Sequence, residues 1–171
     1  MSKLLNALGF QLAWWLCILS VPQGLEPLAL ALCALLALLH LRFSSARMAE
    51  IRLAGLALLT GLLIDSGLQA AGVITFHGAA LGALSPYWLW ALWLLMALTL
   101  RSSLSFLLSR PLALSALAGA VFGPLSYHAG ASLGAADWTP SLAHVAALAF
   151  CWSLALPLLV GRARTAWASA S

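Results

Sequence analysis

The chain has 171 residues, of which 64% are hydrophobic and 7% charged, with eight Lys or Arg against four Asp or Glu. A soluble domain carries about 25% charged residues, so this chain has too few charges to cover a surface that faces water. Its net charge of +4 is spread over separate loops and forms no basic face, which excludes a nucleic-acid-binding role and indicates an integral membrane protein.

Six apolar segments follow one another along the chain, each near the length of about 20 residues that a helix needs to cross a bilayer. Turn residues such as Pro22, Gly24 and Pro111 separate them, and Asp137 or Thr139 is expected to cap the sixth helix. We therefore predict an all-α polytopic membrane bundle without strands, in a single domain over residues 1–171. The predicted transmembrane helices span residues 4–20, 26–43, 53–74, 86–107, 112–134 and 140–161.

The basic residues predict the orientation of the chain. If the N-terminus is cytoplasmic, every Lys and Arg falls on the cytoplasmic side, and all connecting loops are short, which is where the positive-inside rule applies. We predict a multi-pass protein of the bacterial inner membrane with both termini in the cytoplasm, and with Trp88 and Trp138 at the outer interface. The eight basic residues are Lys3, Arg42, Arg47, Arg52, Arg101, Arg110, Arg162 and Arg164.

A weak internal repeat accompanies this topology. Gln11, Gln69 and Tyr127 recur at a spacing of 58 residues in the odd-numbered segments, and each even-numbered segment ends near an arginine. The pattern predicts three parallel two-helix hairpins. Any six-helix chain of this length would produce a similar spacing by chance, so the repeat and coincidence both remain open as explanations.

Asp65 is the only acidic residue in the interior of a predicted span, and it is expected near or slightly beyond the membrane midplane. An ionisable side chain there costs about 2.5–3.5 kcal/mol on insertion scales, so it marks a functional site by default. Gln69 lies one turn later, where it could bond to Asp65, and Gly61 lies one turn earlier. The structural alternative for Asp65 is a protonated carboxyl that joins two helices.

The fifth segment carries a matching stripe of small residues. Ser115, Gly119, Gly123 and Tyr127 recur every four residues, which favours close helix packing, and we expect this helix and the third to meet each other or a shared neighbour. Pro124 is expected to break or kink the helix beside a polar triplet. That triplet is Ser126, Tyr127 and His128.

A buried polar site is therefore predicted around Asp65. Tryptophans in a membrane bundle are also typical of packing or of interface anchors, Gln11 is equally typical of helix–helix contact, and His40 is expected to reach water at the interface. The site is predicted to draw on Asp65, Gln69, Tyr127, His128, Ser126, Gln11 and Trp90, with Trp14, Trp15, Trp93 and Trp152 as further aromatic contributors.

The sequence offers no metal or cofactor site. His77, Asp137 and His144 share the predicted outer side, but no helical spacing links them as ligands, so we expect no bound metal and no cofactor. The three cysteines lie apart in apolar runs and form no framework, which predicts small buried side chains.

Five stretches of the chain together resemble one known family, DUF2878, a group of small proteobacterial membrane proteins. They are N-A-L-G-F-Q-L-A-W-W, A-L-L-A-L-L-H-L-R, L-L-I-D-S-G-L, P-Y-W-L-W-A-L-W and G-A-V-F-G-P-L-S-Y-H-A-G. The family has no established activity and supplies no catalytic residues. The resemblance implies a setting beside cyclopropane-fatty-acyl-synthase-like methyltransferases and flavin amine oxidase-like proteins, and hence membrane-lipid modification.

Three functions are compatible with these observations. The first is a lipid-binding or scaffold subunit without enzymatic activity, with membrane lipids and a soluble fatty-acyl-modifying enzyme as partners. The second is a membrane enzyme that acts on a lipid through Asp65, Tyr127 and His128. The third is a small transporter in which Asp65 is a proton or cation site. The sequence assigns no catalytic residue, substrate or oligomeric state.

Overall fold

The computed structural model describes residues 2–168, with side chains through Thr165. It confirms an all-α fold. The described chain forms two short 3-10 helices, Val21–Gln23 and Ser105–Ser109, and two two-residue strands, β1 (Thr75–Phe76) and β2 (Ala136–Asp137). Its α-helices are α1 (Lys3–Ser20), α2 (Glu26–Arg42), α3 (Arg47–Ala70), α4 (Tyr87–Leu100), α5 (Leu112–Ser132) and α6 (Leu142–Ala168). Residues 169–171 of the predicted cytoplasmic tail lie outside the described part.

Four of these helices, α1, α3, α5 and α6, are long and apolar enough to cross a membrane. The protein is therefore a membrane protein. At about 1.5 Å per residue, the 14 residues of α4 span less than the roughly 30 Å of a bilayer core, and α2 has 17 residues. Six complete crossings remain a prediction.

Three helices differ most from the predicted segments, and one of them, α6, continues seven residues beyond its predicted end at 161, to Ala168. The α3 helix begins six residues earlier than predicted, at Arg47, and it ends at Ala70 because Gly72 follows with a positive φ of 70°. The α4 helix stops at Leu100 and not at residue 107. The Thr99 carbonyl accepts bonds from the backbone N–H groups of Ser102 and Leu104, which turns the serine-rich chain away from the helix axis.

Smaller corrections concern helix ends and prolines. The α6 helix is capped by Ser141, whose hydroxyl accepts the N–H of His144 at 3.1 Å, and the predicted caps Asp137 and Thr139 do not take this position. The α5 helix continues unbroken through Pro124, so of the predicted break or kink the break is wrong and the kink stays a prediction. Helices within membrane proteins tolerate proline when neighbouring groups satisfy the freed backbone.

Three helix pairs consecutive in the chain, α1–α2, α3–α4 and α5–α6, each pack as a hairpin. All three connecting turns lie at one end of the bundle, which we call the turn end. The Glu26 carboxylate at the first turn accepts the N–H of Ala79 in the second at 2.9 Å, and strand pairing joins the second turn to the third. The hairpins are parallel, as the sequence predicts, and the basic residues gather at the opposite, basic end.

The strands β1 and β2 form an antiparallel ribbon, with Thr75 opposite Asp137 and Phe76 opposite Ala136. The prediction that the chain has no strands is therefore wrong. A strand of two residues is too short to give an alternating pattern in the sequence, so periodicity could not reveal it. The ribbon lies across the turn end and covers the bundle interior there.

Small residues set the distances between helices. A Cβ at Gly119 would overlap the backbone carbonyl of Trp152, and one at Gly123 would overlap the Trp152 ring, so α5 lies directly against α6. In the same way, a Cβ at Gly61 of α3 would overlap the Trp93 ring of α4. Because α6 also packs against α3, it is the shared neighbour through which α3 and α5 meet, as predicted.

Candidate functional site

Asp65 lies fully buried between three helices. The Tyr127 hydroxyl on α5 donates a short hydrogen bond to its Oδ1, and the Trp93 indole N–H on α4 donates to its Oδ2 at 2.8 Å. Each carboxyl oxygen thus has a donor, as a buried carboxyl requires. Because α3 starts earlier than predicted, Asp65 lies nearer the turn end than the centre of its helix, and its depth relative to the membrane midplane stays a prediction.

An aromatic cluster surrounds this carboxyl. The indole rings of Trp93 and Trp152 stack with centroids 4.5 Å apart and an interplanar angle of 15°. The Tyr127 ring meets Trp152 edge-on at 6.3 Å and Phe76 of β1 at 5.9 Å. Asp65 therefore holds two aromatic side chains from different helices, and a third is stacked on one of them.

A cavity of about 80 Å³ adjoins this cluster. Tyr127, Trp93 and Trp152 contribute to its walls, while the ribbon and its flanking residues, including Phe76 and Ala136, cover it at the turn end. The walls are almost wholly apolar, which is typical of a site for a hydrophobic ligand. The remaining lining residues are Phe10, Trp14, Ile18, Ile74, Trp88, Leu89, Leu92, Met96, Ser126, Gly130, Ala131 and Ala135.

Gln69 does not bond to Asp65. Its side-chain oxygen accepts the backbone N–H of Phe76 at 3.2 Å, and its amide nitrogen donates to the Ala83 carbonyl at 3.5 Å. The reason is that α3 ends one residue after Gln69, so this side chain lies beside irregular backbone whose polar groups need partners. Gln69 braces the loop that forms one side of the cavity.

The other predicted site residues divide between the cavity and the surface. Ser126 lines the cavity and accepts the Trp14 indole N–H at 3.1 Å, whereas Trp90 donates to Ser85 at 3.0 Å and does not reach Asp65. His128 is exposed on α5 and meets Trp138 edge-on, and Gln11 is exposed on α1. Asp65 and Tyr127 therefore come together, and His128, Gln11 and Trp90 stay outside.

The spacing of Gln11, Gln69 and Tyr127 does not correspond to equivalent sites. Gln11 is exposed, Gln69 braces a loop, and Tyr127 is buried against Asp65. Trp88, expected at the outer interface, is buried at the turn end, and its indole N–H donates to the His77 carbonyl at 2.9 Å, so its place at the interface stays a prediction. The three hairpins are therefore parallel, but the residues at corresponding positions in them have different roles.

A second buried polar cluster, at the basic end, was not visible in the sequence. His40 is buried and not at a wet interface, and its Nε2 lies 3.0 Å from the Glu50 carboxylate. Asn6 lies 3.3 Å from the other ring nitrogen and also donates to the Leu98 carbonyl. Its side-chain oxygen accepts both the N–H and the hydroxyl of Ser103. The cluster ties α1, α2, α3 and the end of α4 together.

Two cysteines that the sequence places apart come into contact. The sulfur atoms of Cys17 and Cys33 lie 3.5 Å from each other, both as free thiols buried between α1 and α2.

Within the described residues, no group of three or more His, Cys, Asp or Glu side chains is arranged to hold a metal ion.

At the turn end, His77 pairs with Asp137. Its Nε2 lies 2.9 Å from the Asp137 carboxylate and its Nδ1 lies 3.1 Å from the Gly134 carbonyl, so both ring nitrogens face acceptors. Both can donate only in the protonated imidazolium. The hydrogen bond to Asp137, followed by that to Gly134, raises the pKa of His77.

This pair predicts a modest pH dependence of stability. The pKa of His77 is higher in the folded protein than in the unfolded chain, so protonated His77 stabilises the fold. This stabilisation is complete at pH values below the unfolded-state pKa of about 6.5, and it is lost as the pH rises through the folded-state pKa. We expect the melting temperature in detergent to fall over this range, by an amount that corresponds to at most about 1 kcal/mol for so exposed a pair. His77→Gln should flatten this slope, whereas His128→Gln should retain it. An unchanged slope in His77→Gln would contradict the assignment.

Comparison with known proteins gives one family. The model of a protein family described as "Protein of unknown function (DUF2878)" matches residues 3–158. No curated protein and no solved structure matches the chain. The match covers all the residues that contact Asp65 and all those that line the cavity.

Proposed function

The chain belongs to the DUF2878 family, whose function is unknown, and we propose that it binds the methyl end of a membrane lipid's acyl chain in its aromatic cavity. In this role it is a lipid-binding or scaffold subunit and not itself an enzyme. The observation that carries the proposal is an apolar, aromatic-walled cavity inside a protein whose long helices are themselves suited to a lipid environment.

The chemistry of the walls favours a hydrocarbon ligand. The polar side-chain atoms of the lining are the hydroxyls of Ser126 and Tyr127 and the indole N–H groups. The hydroxyl of Tyr127 is engaged with Asp65, and Ser126 accepts the indole of Trp14. Few groups remain to bind a charged or strongly polar molecule, whereas aromatic and aliphatic faces gain contact energy from a hydrocarbon chain.

Asp65 supports this proposal as a positioning residue. It touches the cavity only through Tyr127 and Trp93, whose rings it fixes by two hydrogen bonds. A buried polar network of this kind rigidifies the groups that it joins. On the proposed function, Asp65 keeps the aromatic walls in place without contacting the ligand.

The two alternatives assign chemistry to Asp65 itself. An enzyme acting through Asp65, Tyr127 and His128 would need His128 to turn inward from the exposed face of α5. A transporter would need a polar route to a carboxyl that is fully buried with both oxygens engaged. Lipid analysis of a deletion strain, compared with one carrying Asp65→Asn, separates these roles. A loss of one modified lipid in both strains would favour the enzyme.

The cellular setting extends the proposal. A protein that holds an acyl chain could present it to a soluble fatty-acyl-modifying enzyme, which is the partner class that the family resemblance implies. The basic end of the bundle is suited to the cytoplasmic face of a bacterial inner membrane, because short positively charged loops remain on that side. Arg47 and Arg164 also cap backbone carbonyls there, so part of this charge has a structural role.

We expect photolabelling to reveal the bound chain. The protein is reconstituted in phosphatidylethanolamine and phosphatidylglycerol vesicles that carry a diazirine near the methyl end of one acyl chain. Labelling should reach Met96 and Leu92, which line the cavity and are each 8% exposed. Phe122, which is 68% exposed, should label in every case.

A cavity-filling variant provides the control. Ala131 lines the cavity, so Ala131→Phe should reduce labelling of Met96 without changing that of Phe122. If wild-type protein is labelled at Phe122 but neither at Met96 nor at Leu92, the cavity holds no acyl chain and the proposal is wrong.

Topology is tested separately, by fusion to alkaline phosphatase, which is active only outside the cytoplasm. With the basic end inside, we expect a fusion after Arg164 to be inactive and a fusion after Gly78, at the turn end, to be active. The reasoning is the segregation of all eight Lys and Arg at one end of the bundle. The opposite pattern would invert the proposed orientation.

A further inference from the structure

We infer that the acyl chain enters the cavity sideways from the bilayer, between α1 and α5, through a gap that the Trp14–Ser126 hydrogen bond holds closed. This inference rests on the proposed function and adds to it the route and the origin of the ligand: an intact lipid in the surrounding membrane, and not a fatty acid delivered from water.

The first support is the covering at the turn end. The ribbon of β1 and β2 spans the cavity, with Phe76 and Ala136 facing it and both buried. The His77–Asp137 pair joins its two strands, and the bond from the Trp88 indole to the His77 carbonyl fastens the ribbon to α4. A ligand that arrived from the aqueous phase would have to separate the ribbon and break these bonds.

The second support is the poor packing between α1 and α5. Among the described residues, α1 packs mainly against α2 and α4, and α5 packs mainly against α6, so the contact between α1 and α5 is at most a weak one. One bridge is the Trp14 indole N–H, which donates to Ser126 at 3.1 Å. The other is the contact of Ile18 with the backbone at Gly130.

The third support is that both bridges also line the cavity. Trp14, Ile18, Ser126 and Gly130 all belong to its wall, so moving these side chains aside would join the cavity to the outside of the bundle. The neighbouring outward residues Trp15 and Leu125 are exposed, as lipid-facing side chains are. The Trp14–Ser126 contact is one hydrogen bond between neutral groups, which contributes little stability, so thermal motion can break it.

A reversible lock tests the route. In a chain whose three native cysteines are replaced by alanine, Ile18→Cys is combined with Gly130→Cys. A Cβ at Gly130 would lie 3.2 Å from the Ile18 Cδ1 atom, so a short bifunctional methanethiosulfonate can join the two new thiols through reducible disulfides. The cross-link is formed in detergent, before the protein is reconstituted with the diazirine-bearing phospholipid.

We expect the locked protein to lose labelling of Met96 by about tenfold or more, and reduction with dithiothreitol to restore it, while Phe122 stays labelled in both states. Equal labelling of Met96 in the locked and reduced proteins would overturn sideways entry and leave the proposed function standing. Absence of label at Met96 in wild-type protein would instead overturn the proposed function.

A second variant keeps the inference testable if the lock disturbs the fold. Ser126→Ala removes the acceptor of the Trp14 indole and should make labelling of Met96 reach its plateau several times sooner. Ser132→Ala is the matched control on the same helix, because the Ser132 hydroxyl bonds only to the His128 carbonyl one turn earlier. An unchanged labelling rate in Ser126→Ala would contradict the claim that the Trp14–Ser126 hydrogen bond holds the gap closed.

Discussion

Replacing Asp65 with leucine should destabilise the protein by about 2–6 kcal/mol, because each of two buried donors then loses its acceptor at about 1–3 kcal/mol. The donors are the Tyr127 hydroxyl and the Trp93 indole N–H. Asp65→Asn should cost about half as much, about 1–3 kcal/mol, because each partner keeps one hydrogen bond and only the hydrogen of the Tyr127 hydroxyl loses its acceptor. The amide oxygen would accept from Trp93, which can only donate, while the amide nitrogen would donate to Tyr127, whose hydroxyl can also accept.

Thermal unfolding in detergent measures this difference, and Thr60→Val is the matched control on the same helix. The Thr60 hydroxyl bonds only to the Leu56 carbonyl of its own helix, so its loss should change little. Photolabelling of Met96 should persist in Asp65→Asn. A variant that folds as stably as wild type and yet loses its cellular function would favour a proton- or cation-handling role for Asp65.

Gly119→Ala should have an effect of similar size, with a loss of about 3 kcal/mol or more of stability from overpacking. The added Cβ would overlap the Trp152 backbone carbonyl, and backbone cannot rotate away as a flexible side chain can. The α5–α6 interface would have to separate. We expect low yield of folded protein by size-exclusion chromatography and, in the folded remainder, a lower melting temperature.

Gly161→Ala on the partner helix is the control, because a Cβ there meets nothing within 4 Å. Alanine in an open helical position should be neutral or stabilise by about 0.5–1 kcal/mol. If Gly119→Ala were as stable as Gly161→Ala, the close approach of α5 and α6 would be wrong.

Much of the fold could be predicted because apolar segments and turn residues are local signals. The helices, their pairing as parallel hairpins and the small-residue face of α5 all follow from such patterns. The ribbon and the early end of α4 could not be predicted in this way. Both depend on contacts between distant segments, such as Phe76 with Ala136 and Ser103 with Asn6.

The candidate site was predictable in part. The sequence pairs Asp65 with Tyr127 because both lie at comparable depth on helices with small-residue faces, and this contact is present. It favoured Trp90 over Trp93 because the two lie one turn apart on α4, and only the rotation of that helix decides which indole reaches the carboxyl. Gln69 was misassigned because its role depends on where α3 ends.

In the buried polar cluster at the basic end, one backbone donor sets the direction of a whole chain of hydrogen bonds. The Ser103 backbone N–H can only donate, so it fixes the orientation of the Asn6 amide, whose NH₂ group then points at His40 Nδ1. That nitrogen then accepts, and Nε2–H donates to Glu50. A chain of hydrogen bonds therefore runs in one direction, from Ser103 through Asn6 and His40 to Glu50.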